Sequence, residues 1–278
     1  MARRNNCDTS VLRRAISCLV LLCGSAMAIA EEGIYLFSIP AVRAVSQTGP
    51  LDGRIDATLH VPNAAHAASA LAGIRDLEVL KVDGNLVTIS FGEGITRNGT
   101  PTADHRIATF VIDFDESALT ELVANLQARY GERPSQPELT DFVFRHIANK
   151  TYLRSFDLAS RVALSREGDC SEHAVLLTAL ARATGHPARV VLGVLLAQND
   201  GNTYAYGHAW TEIHDGRNWQ IADATLAQTG AADVHFRYLP LVSLDNEGPG
   251  YAMDMLRLAA VQPSRISNIQ SAAVRFSD

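Results

Sequence analysis

An α+β fold is predicted from two switches in the periodicity of apolar residues. Strand-like runs dominate from Ile34 to about Asp115, helical spacing follows, and strand-like runs return after Gly185. Strands and helices therefore fall into separate stretches instead of alternating one by one, which favours α+β over α/β. The 278 residues are enough for one large domain or two modest ones, and either can bury a core.

The first thirty residues have the layout of a secretory signal peptide. Four arginines form a basic start, and the short apolar run AISCLVLLCGSAMAIA then ends in small residues. We expect residues 1–30 to be a signal peptide cleaved after Ala28 or Ala30, and the protein to be periplasmic or secreted. An uncleaved N-terminal membrane anchor is the alternative.

Signal cleavage changes both the net charge and the cysteine count. Four of the 24 basic residues and one of the 30 acidic residues would leave, giving a mature charge of −9. A chain this acidic, whose two lysines are Lys81 and Lys150, lacks the excess of basic residues that favours binding to nucleic acid or to an anionic membrane surface. Of four cysteines only Cys170 would remain, so no disulfide can form within the mature chain.

Residues 31–115 are predicted to form a β-rich N-terminal region. The stretch LEVLKVDGNLVTISF indicates a hairpin around Asp83-Gly84, and RIATFVIDFD indicates a further strand. A short helix is expected in AAHAASALAGI. Helical spacing then recurs in ESALTELVANLQARYG, PELTDFVFRHIANK and SFDLASRVALS, and three strands are expected in ARVVLGVLLA, TYAYGHAWTEIH and NWQIADAT. The tail after Pro240 is expected to be irregular, with one helical patch near AMDMLRLAAV.

The lone cysteine lies where a helix is predicted to begin. Asp169 is the expected N-cap and Glu172 completes a capping box, while Gly185 and Pro187 stop the helix. In the first helical turn, free backbone N–H groups and the helix dipole lower the pKa of a thiol, although the two acidic neighbours of Cys170 oppose this. A buried structural cysteine is the alternative at this point.

A histidine and an aspartate are predicted to face each other across a hairpin. With Asp215-Gly216 as a two-residue turn, His214 faces Arg217, and His208 lies directly opposite Asp223 on one face of the sheet. The same register sets Trp210 opposite Ile221 and Glu212 opposite Trp219. A carboxylate so placed can orient an imidazole whose other nitrogen faces a thiol, but a purely structural hydrogen-bonded pair is also possible.

Three motifs together resemble those of the transglutaminase-like superfamily. GDCSEHAVLLTALARATGHPARVV is similar to its cysteine motif, and GHAWTEI and WQIADAT are similar to its histidine and aspartate motifs, in the same chain order. The resemblance covers about residues 155–226. It implies a papain/transglutaminase-like core in which a helix bearing the cysteine packs on an antiparallel sheet bearing the other two residues. It further implies that Cys170 is the nucleophile, His208 the acid/base and Asp223 the residue that orients it.

The resemblance sets the expected domains and activity. We expect a transglutaminase-like catalytic domain at 116–240 and a C-terminal extension at 241–278. The activity would be thiol acyl transfer on peptide or carboxamide bonds through a Cys170 thioester. Hydrolysis is favoured over transamidation because nothing resembles a Ca²⁺ loop of regularly spaced acids. A non-catalytic binding module is a further alternative.

The remaining expectations concern ligands and partners. No HExxH or CxxC pair occurs, so no metal and no cofactor is expected. The expected partner is a protein or peptide substrate, without nucleic acid and without stable membrane insertion after cleavage. The sequence leaves the oligomeric state open.

Overall fold

The computed structural model describes residues 37–74, 77–92, 99–151, 156–199, 202–227, 235–244 and 251–272. The predicted signal peptide lies outside the described residues. The helices are α1 (Ala64–Leu71), α2 (Ser117–Tyr130), α3 (Gln136–His146), α4 (Ala159–Ser165), α5 (Cys170–Ala183) and α6 (Tyr251–Val261). The strands are β1 (Phe37–Ile39), β2 (Ala41–Arg43), β3 (Ile55–His60), β4 (Leu77–Asp83), β5 (Leu86–Phe91), β6 (Asn149–Lys150), β7 (Glu167–Gly168), β8 (Ala188–Asn199), β9 (Asn202–His214), β10 (Trp219–Ala222), β11 (His235–Leu244) and β12 (Arg265–Ser271). This mixture of helices and largely antiparallel sheets confirms the predicted α+β class.

The first sheet carries the histidine motif. Its antiparallel strands run in the order β1-β9-β8-β11, and β10 pairs with β9 at the edge that β1 also uses. α5 packs against this sheet through threonines: the Thr211 hydroxyl donates to the Ala174 carbonyl at 2.9 Å and lies 3.1 Å from the Thr178 hydroxyl. The helix with the cysteine is thereby fixed against the strand with the histidine.

The second sheet joins both ends of the described chain. Its order is β2-β12-β3-β5-β4, so β12 lies between two strands of the N-terminal region. The predicted hairpin is confirmed as β4 and β5, but the pair Asp83↔Leu86 makes Gly84 and Asn85 the turn. Gly84 has a φ of 56°, which favours glycine there. The division of the chain at 115 and 240 stays a prediction.

Two sequence-based expectations are wrong. RIATFVIDFD is not a strand, since only a short 3₁₀ helix at Asp104–Arg106 touches it and the rest is turns. This segment instead anchors α4, because the Asp113 carboxylate accepts from the Ser160 amide at 2.8 Å and the Val111 carbonyl accepts from the Ala159 amide. Val111 and Ile112 are buried in the core, whereas Ile107 and Phe110 are exposed.

The tail after Pro240 is not irregular either. β11 continues through Leu244 along β8, and β12 follows the confirmed helix α6. A register shift between Pro240 and Val242 accommodates the proline, which has no N–H to give to the ladder. This bulge hid the strand from a reading of the sequence.

Candidate active site

The start of α5 is built by its capping residues, as the sequence predicts. The Asp169 carboxylate accepts from the Ser171 amide at 2.8 Å, and the Glu172 carboxylate accepts from the Asp169 amide at 3.0 Å. These two bonds satisfy backbone donors that a helix start leaves open. They place Cys170 at the first helical position.

Cys170 lies at an interruption in the pairing of β9. β1 pairs with residues 205–207 and β10 with residues 211–214 of the same edge, and among the described strands none pairs with 208–210 there. The backbone N–H of Ala209 hydrogen-bonds the sulfur of Cys170 in this interval. The sulfur therefore approaches the sheet next to His208.

His208 and Asp223 are in direct contact, with His208 Nε2 2.7 Å from Asp223 Oδ2. The predicted register is nevertheless wrong. His214 pairs with Trp219 and not with Arg217, so the turn has four residues. The Asp215 side chain causes this, because its Oδ1 accepts from the amides of Arg217 and Asn218 at 2.7 and 2.8 Å.

The shift amounts to two residues, which explains why the contact survives. Side chains of a strand alternate between faces with a period of two, so Asp223 stays on the face of His208 and reaches it diagonally. The other two predicted pairs are wrong, since Ile221 lies opposite Glu212 and Trp219 opposite His214.

Asp223 is held by four hydrogen bonds. Besides His208, the Tyr238 hydroxyl donates to Oδ2 at 2.9 Å, and the amides of Thr225 and Leu226 donate to Oδ1 at 2.9 and 3.3 Å. Burial by itself raises the pKa of Asp223, but the attraction of His208 and the bonds from His208, Tyr238 and Thr225 hold that pKa below its ordinary value. The carboxylate is therefore ionised and fixed in orientation.

Tyr238 is a residue of the site that sequence reasoning missed. It lies on β11, two strands away from β9, and its ring packs edge-on against Trp210 with centroids 5.2 Å apart. Nothing in its local sequence indicates the contact with Asp223. Only the pairing of β11 with β8 brings it there.

The environment of the thiol differs from the expectation. Cys170 has no exposed surface. Burial raises its pKa well above the ordinary value, and the charges of Asp169, Asp223 and Glu172 add to this, while the hydrogen bond from Ala209 opposes it. Position at the helix start is therefore not sufficient to lower the pKa of Cys170, because burial is the largest influence on it. The raised pKa favours the neutral thiol.

The Glu172 carboxyl group of the capping box has an altered pKa. Burial, followed by the charge of Asp169, raises the pKa of Glu172 to about 7. Glu172 also accepts from the Asp157 amide at 3.2 Å, and its Cβ occupies the place that a Cβ on Gly168 would need. Only glycine fits at 168, where the φ of 155° also disfavours other residues.

His173 stabilises the same helical turn through a hydrogen bond to its backbone. Its Nδ1 donates to the Asp169 carbonyl at 2.6 Å and its Nε2 accepts from Lys150 Nζ at 2.6 Å. Burial, and then the charge of Lys150, lowers the pKa of His173 to about 3, so the imidazole is neutral. His173 therefore acts on the backbone of the N-cap and holds the first turn of α5.

No group of three or more His, Cys, Asp or Glu side chains among the described residues is arranged to hold a metal ion. The same part of the chain contains no helix with the length and apolar character needed to cross a membrane.

Comparison with known proteins agrees with this architecture. Residues 120–224 match the family model of the transglutaminase-like superfamily. That range begins in α2 and ends one residue after Asp223, so it includes the cysteine helix, β8, β9 and β10. The chain therefore contains a transglutaminase-like domain, of a superfamily whose members are typically cysteine-dependent enzymes.

Two solved structures are similar to part of this chain. A candidate cysteine protease from Cytophaga hutchinsonii is 15% identical, with 69% of this chain and 86% of that chain covered and a TM-score of 0.40. The periplasmic domain of TgpA from Pseudomonas aeruginosa, bound to ethylmercury, is 16% identical, with 70% and 85% covered and a TM-score of 0.44. None of the curated proteins compared matches the chain.

Proposed function

We propose that the protein is a thiol acyl-transfer enzyme that acts on peptide or carboxamide bonds through a thioester on Cys170. The observation that carries this proposal is the 2.7 Å contact between His208 Nε2 and Asp223, made on the strand whose next amide bonds the Cys170 sulfur. With Nε2 committed to the carboxylate, Nδ1 is the ring nitrogen that serves the thiol.

The proposed reaction has two stages. His208 Nδ1 takes the proton of the Cys170 thiol as the sulfur attacks the carbonyl carbon. The charge on the carbonyl oxygen is held by the backbone N–H of Cys170, since the Asp169 carboxylate already accepts from the amides of Ser171 and Glu172. The C–N bond then breaks, and the amine leaves with the proton from His208. A nucleophile with its own proton, either water or an amine, next attacks the thioester, and the thiol is regenerated.

The raised pKa of Cys170 supports a first proton transfer that accompanies attack. It favours a neutral resting thiol over a stored thiolate, so His208 takes the proton as the sulfur attacks. Because the sulfur has no exposed surface, productive binding also requires side chains that cover Cys170 to move aside. Such opening steps often set the rate of catalysis.

We place hydrolysis ahead of transamidation. Water reaches any opened site, whereas transamidation requires an amine bound in the cleft. The test is to incubate pure protein with a glutamine-containing peptide and an amine dye. Acid release above dye incorporation supports hydrolysis, and dominant dye incorporation would reverse the order.

The variants for this test are chosen to remove chemistry and keep the fold. Cys170→Ala and His208→Gln are expected to abolish both products, and His66→Gln, which changes an exposed histidine on α1, is the matched control. Product formation by Cys170→Ala at the rate of the wild type would refute the thioester.

A second candidate function is a non-catalytic binding module. The full burial of Cys170 and its raised pKa favour it. Turnover of the glutamine-containing peptide distinguishes the two functions. Product formation that is lost in Cys170→Ala supports catalysis, and saturable peptide binding without product in both proteins supports the binding module.

We also propose export to the periplasm or the medium. The basic and apolar pattern of residues 1–30 supports this. N-terminal sequencing of the mature protein is expected to start at Ile29 or Glu31. A protein that keeps Met1 and sediments with membranes would support the uncleaved anchor instead.

A further inference from the structure

A cleft of about 510 Å³ opens at the end of α5 opposite to Cys170. α5 has 14 residues and is therefore about 20 Å long, so the cleft is separate from the thiol. The polar and charged side chains in its lining are those of Arg106, Arg133, Gln136, His186, His214 and Asp215.

Two arginines from different segments converge on one carbonyl in this cleft. Arg106 donates to the Gly185 oxygen at 3.0 Å and Arg133 donates to the same oxygen at 3.5 Å. Cations are favourable beside the last carbonyls of a helix, and one guanidinium is sufficient for that purpose. The second guanidinium is repelled by the first, and the Gly185 carbonyl carries no full negative charge that would offset this repulsion.

Neither guanidinium has an anionic partner among the residues that the structure describes. In the described part of the chain, Arg106 and Arg133 form no ion pair and have the Gly185 oxygen as their hydrogen-bond acceptor. The carboxylate of Asp215 is used by its own turn and by the Gln220 side chain at 3.0 Å. Each guanidinium carries five N–H donors, so most of them are available to a ligand.

The two histidines of the cleft lie within the field of these arginines. Burial, and then Arg133 and Arg106, lowers the pKa of His186. Burial also lowers the pKa of His214, where the charge of Asp215 opposes this and that of Arg106 adds to it. The His214 ring accepts from the Gly216 amide at Nδ1, which leaves Nε2 as a donor in the neutral ring. The cleft thus combines two unpaired cations with imidazole groups, in a chain whose net charge is −6.

We propose that this cleft binds an oxyanion, a carboxylate or a phosphate group, between Arg106 and Arg133. Guanidinium forks match both groups and bind them with paired, charge-assisted hydrogen bonds. The oxyanion is either a free small molecule or an acidic side chain of a bound peptide. The proposal is independent of thiol chemistry.

Isothermal titration of the whole protein tests it with two probes. One is inorganic phosphate, and the other is a blocked peptide with two glutamates, compared with its glutamine counterpart. Saturable one-to-one binding of either probe supports the site. Phosphate alone identifies a free oxyanion, and the glutamate peptide alone identifies an acidic segment of a partner.

The matched variants are Arg106→Gln, Arg133→Gln and Arg129→Gln. The first two are expected to weaken binding about tenfold or more, because each removes a charge-assisted pair. Arg129 is exposed on α2 outside the cleft, and its variant should bind as the wild type does.

Loss of folding is separated from loss of binding by two measurements. Urea unfolding reports whether each variant is as stable as the wild type. Arg106→Lys and Arg133→Lys keep the positive charge but remove the paired N–H donors of the guanidinium. The melting temperature of the wild type in phosphate, against chloride at equal ionic strength, gives a readout that needs no variant. Absence of saturable binding by both probes, or equal weakening by Arg129→Gln, would overturn the proposal.

Discussion

Replacing Tyr238 with phenylalanine isolates one of the four hydrogen bonds on Asp223. The bond joins the Tyr238 hydroxyl to Oδ2 at 2.9 Å, and the ring contact with Trp210 remains in the variant. A hydrogen bond to a charged group contributes about 1.5–3 kcal/mol. We therefore expect Tyr238→Phe to lower the free energy of unfolding by about 2 kcal/mol at pH 7.

The pH dependence follows from the lowered pKa of Asp223. A folded pKa below the ordinary 3.8 contributes stability that is present above about pH 3.8 and is lost as the pH falls through the folded value. Once the carboxylate is protonated, the bond joins neutral groups and contributes about 1 kcal/mol. The difference between wild type and Tyr238→Phe should therefore narrow in acid.

Urea unfolding followed by tryptophan fluorescence measures this difference. Tyr204→Phe is the control, because Tyr204 lies in the same aromatic cluster and has no contact with Asp223. It is expected to change stability by less than about 0.5 kcal/mol. A loss for Tyr238→Phe no larger than that of the control would refute the reasoning. So would a loss that stays constant over the whole acid range in which the wild type is folded.

Three further outcomes are expected. Gly193→Ala should lose about 1–3 kcal/mol of unfolding free energy, because its new Cβ would meet the Leu239 carbonyl and Trp210. In Gly207→Ala the new Cβ meets only the movable ring of Phe37, so this variant should lose less, and equal losses would contradict the prediction. Between pH 4.5 and 7 the folded state keeps the Glu172 proton that the unfolded chain loses, so the free energy of unfolding falls as the pH rises. Glu172→Gln should remove this contribution, which amounts to up to about 1.4 kcal/mol per pH unit. His173, with a folded pKa of about 3 against an ordinary 6.5, makes a contribution to the free energy of unfolding that rises with pH over the same window, and His173→Gln should remove it. Unfolding measured from pH 3 to 8 tests the Glu172 and His173 predictions, and a pH dependence unchanged from the wild type would contradict them.

Local sequence signals predicted the helices well. The capping box at Asp169 and Glu172 fixed the start of α5, since it depends on residues within one turn. The hairpin at Gly84 is similarly local. The prediction of a strand in RIATFVIDFD failed because the segment forms a loop that is bonded to the start of α4 and buries only Val111 and Ile112. A run of apolar residues in the sequence does not distinguish such a loop from a strand.

The site itself was predictable only in part. The sequence placed His208 and Asp223 on the correct face of the sheet but in the wrong register, because the Asp215 side chain stabilises a four-residue turn in place of a two-residue one. The contact of Tyr238 and the burial of Cys170 could not be predicted from the sequence. Both depend on which distant segments the fold brings over the site.

The position of β12 has a consequence for the growing chain. Its neighbours β2 and β3 are made early, yet the buried Ile266 and Ile269 that complete their sheet are made more than two hundred residues later. Until then β3 has an open edge, which slows folding and can template aggregation. A chain that ends before Arg265 therefore lacks the strand that lies between β2 and β3 in the second sheet.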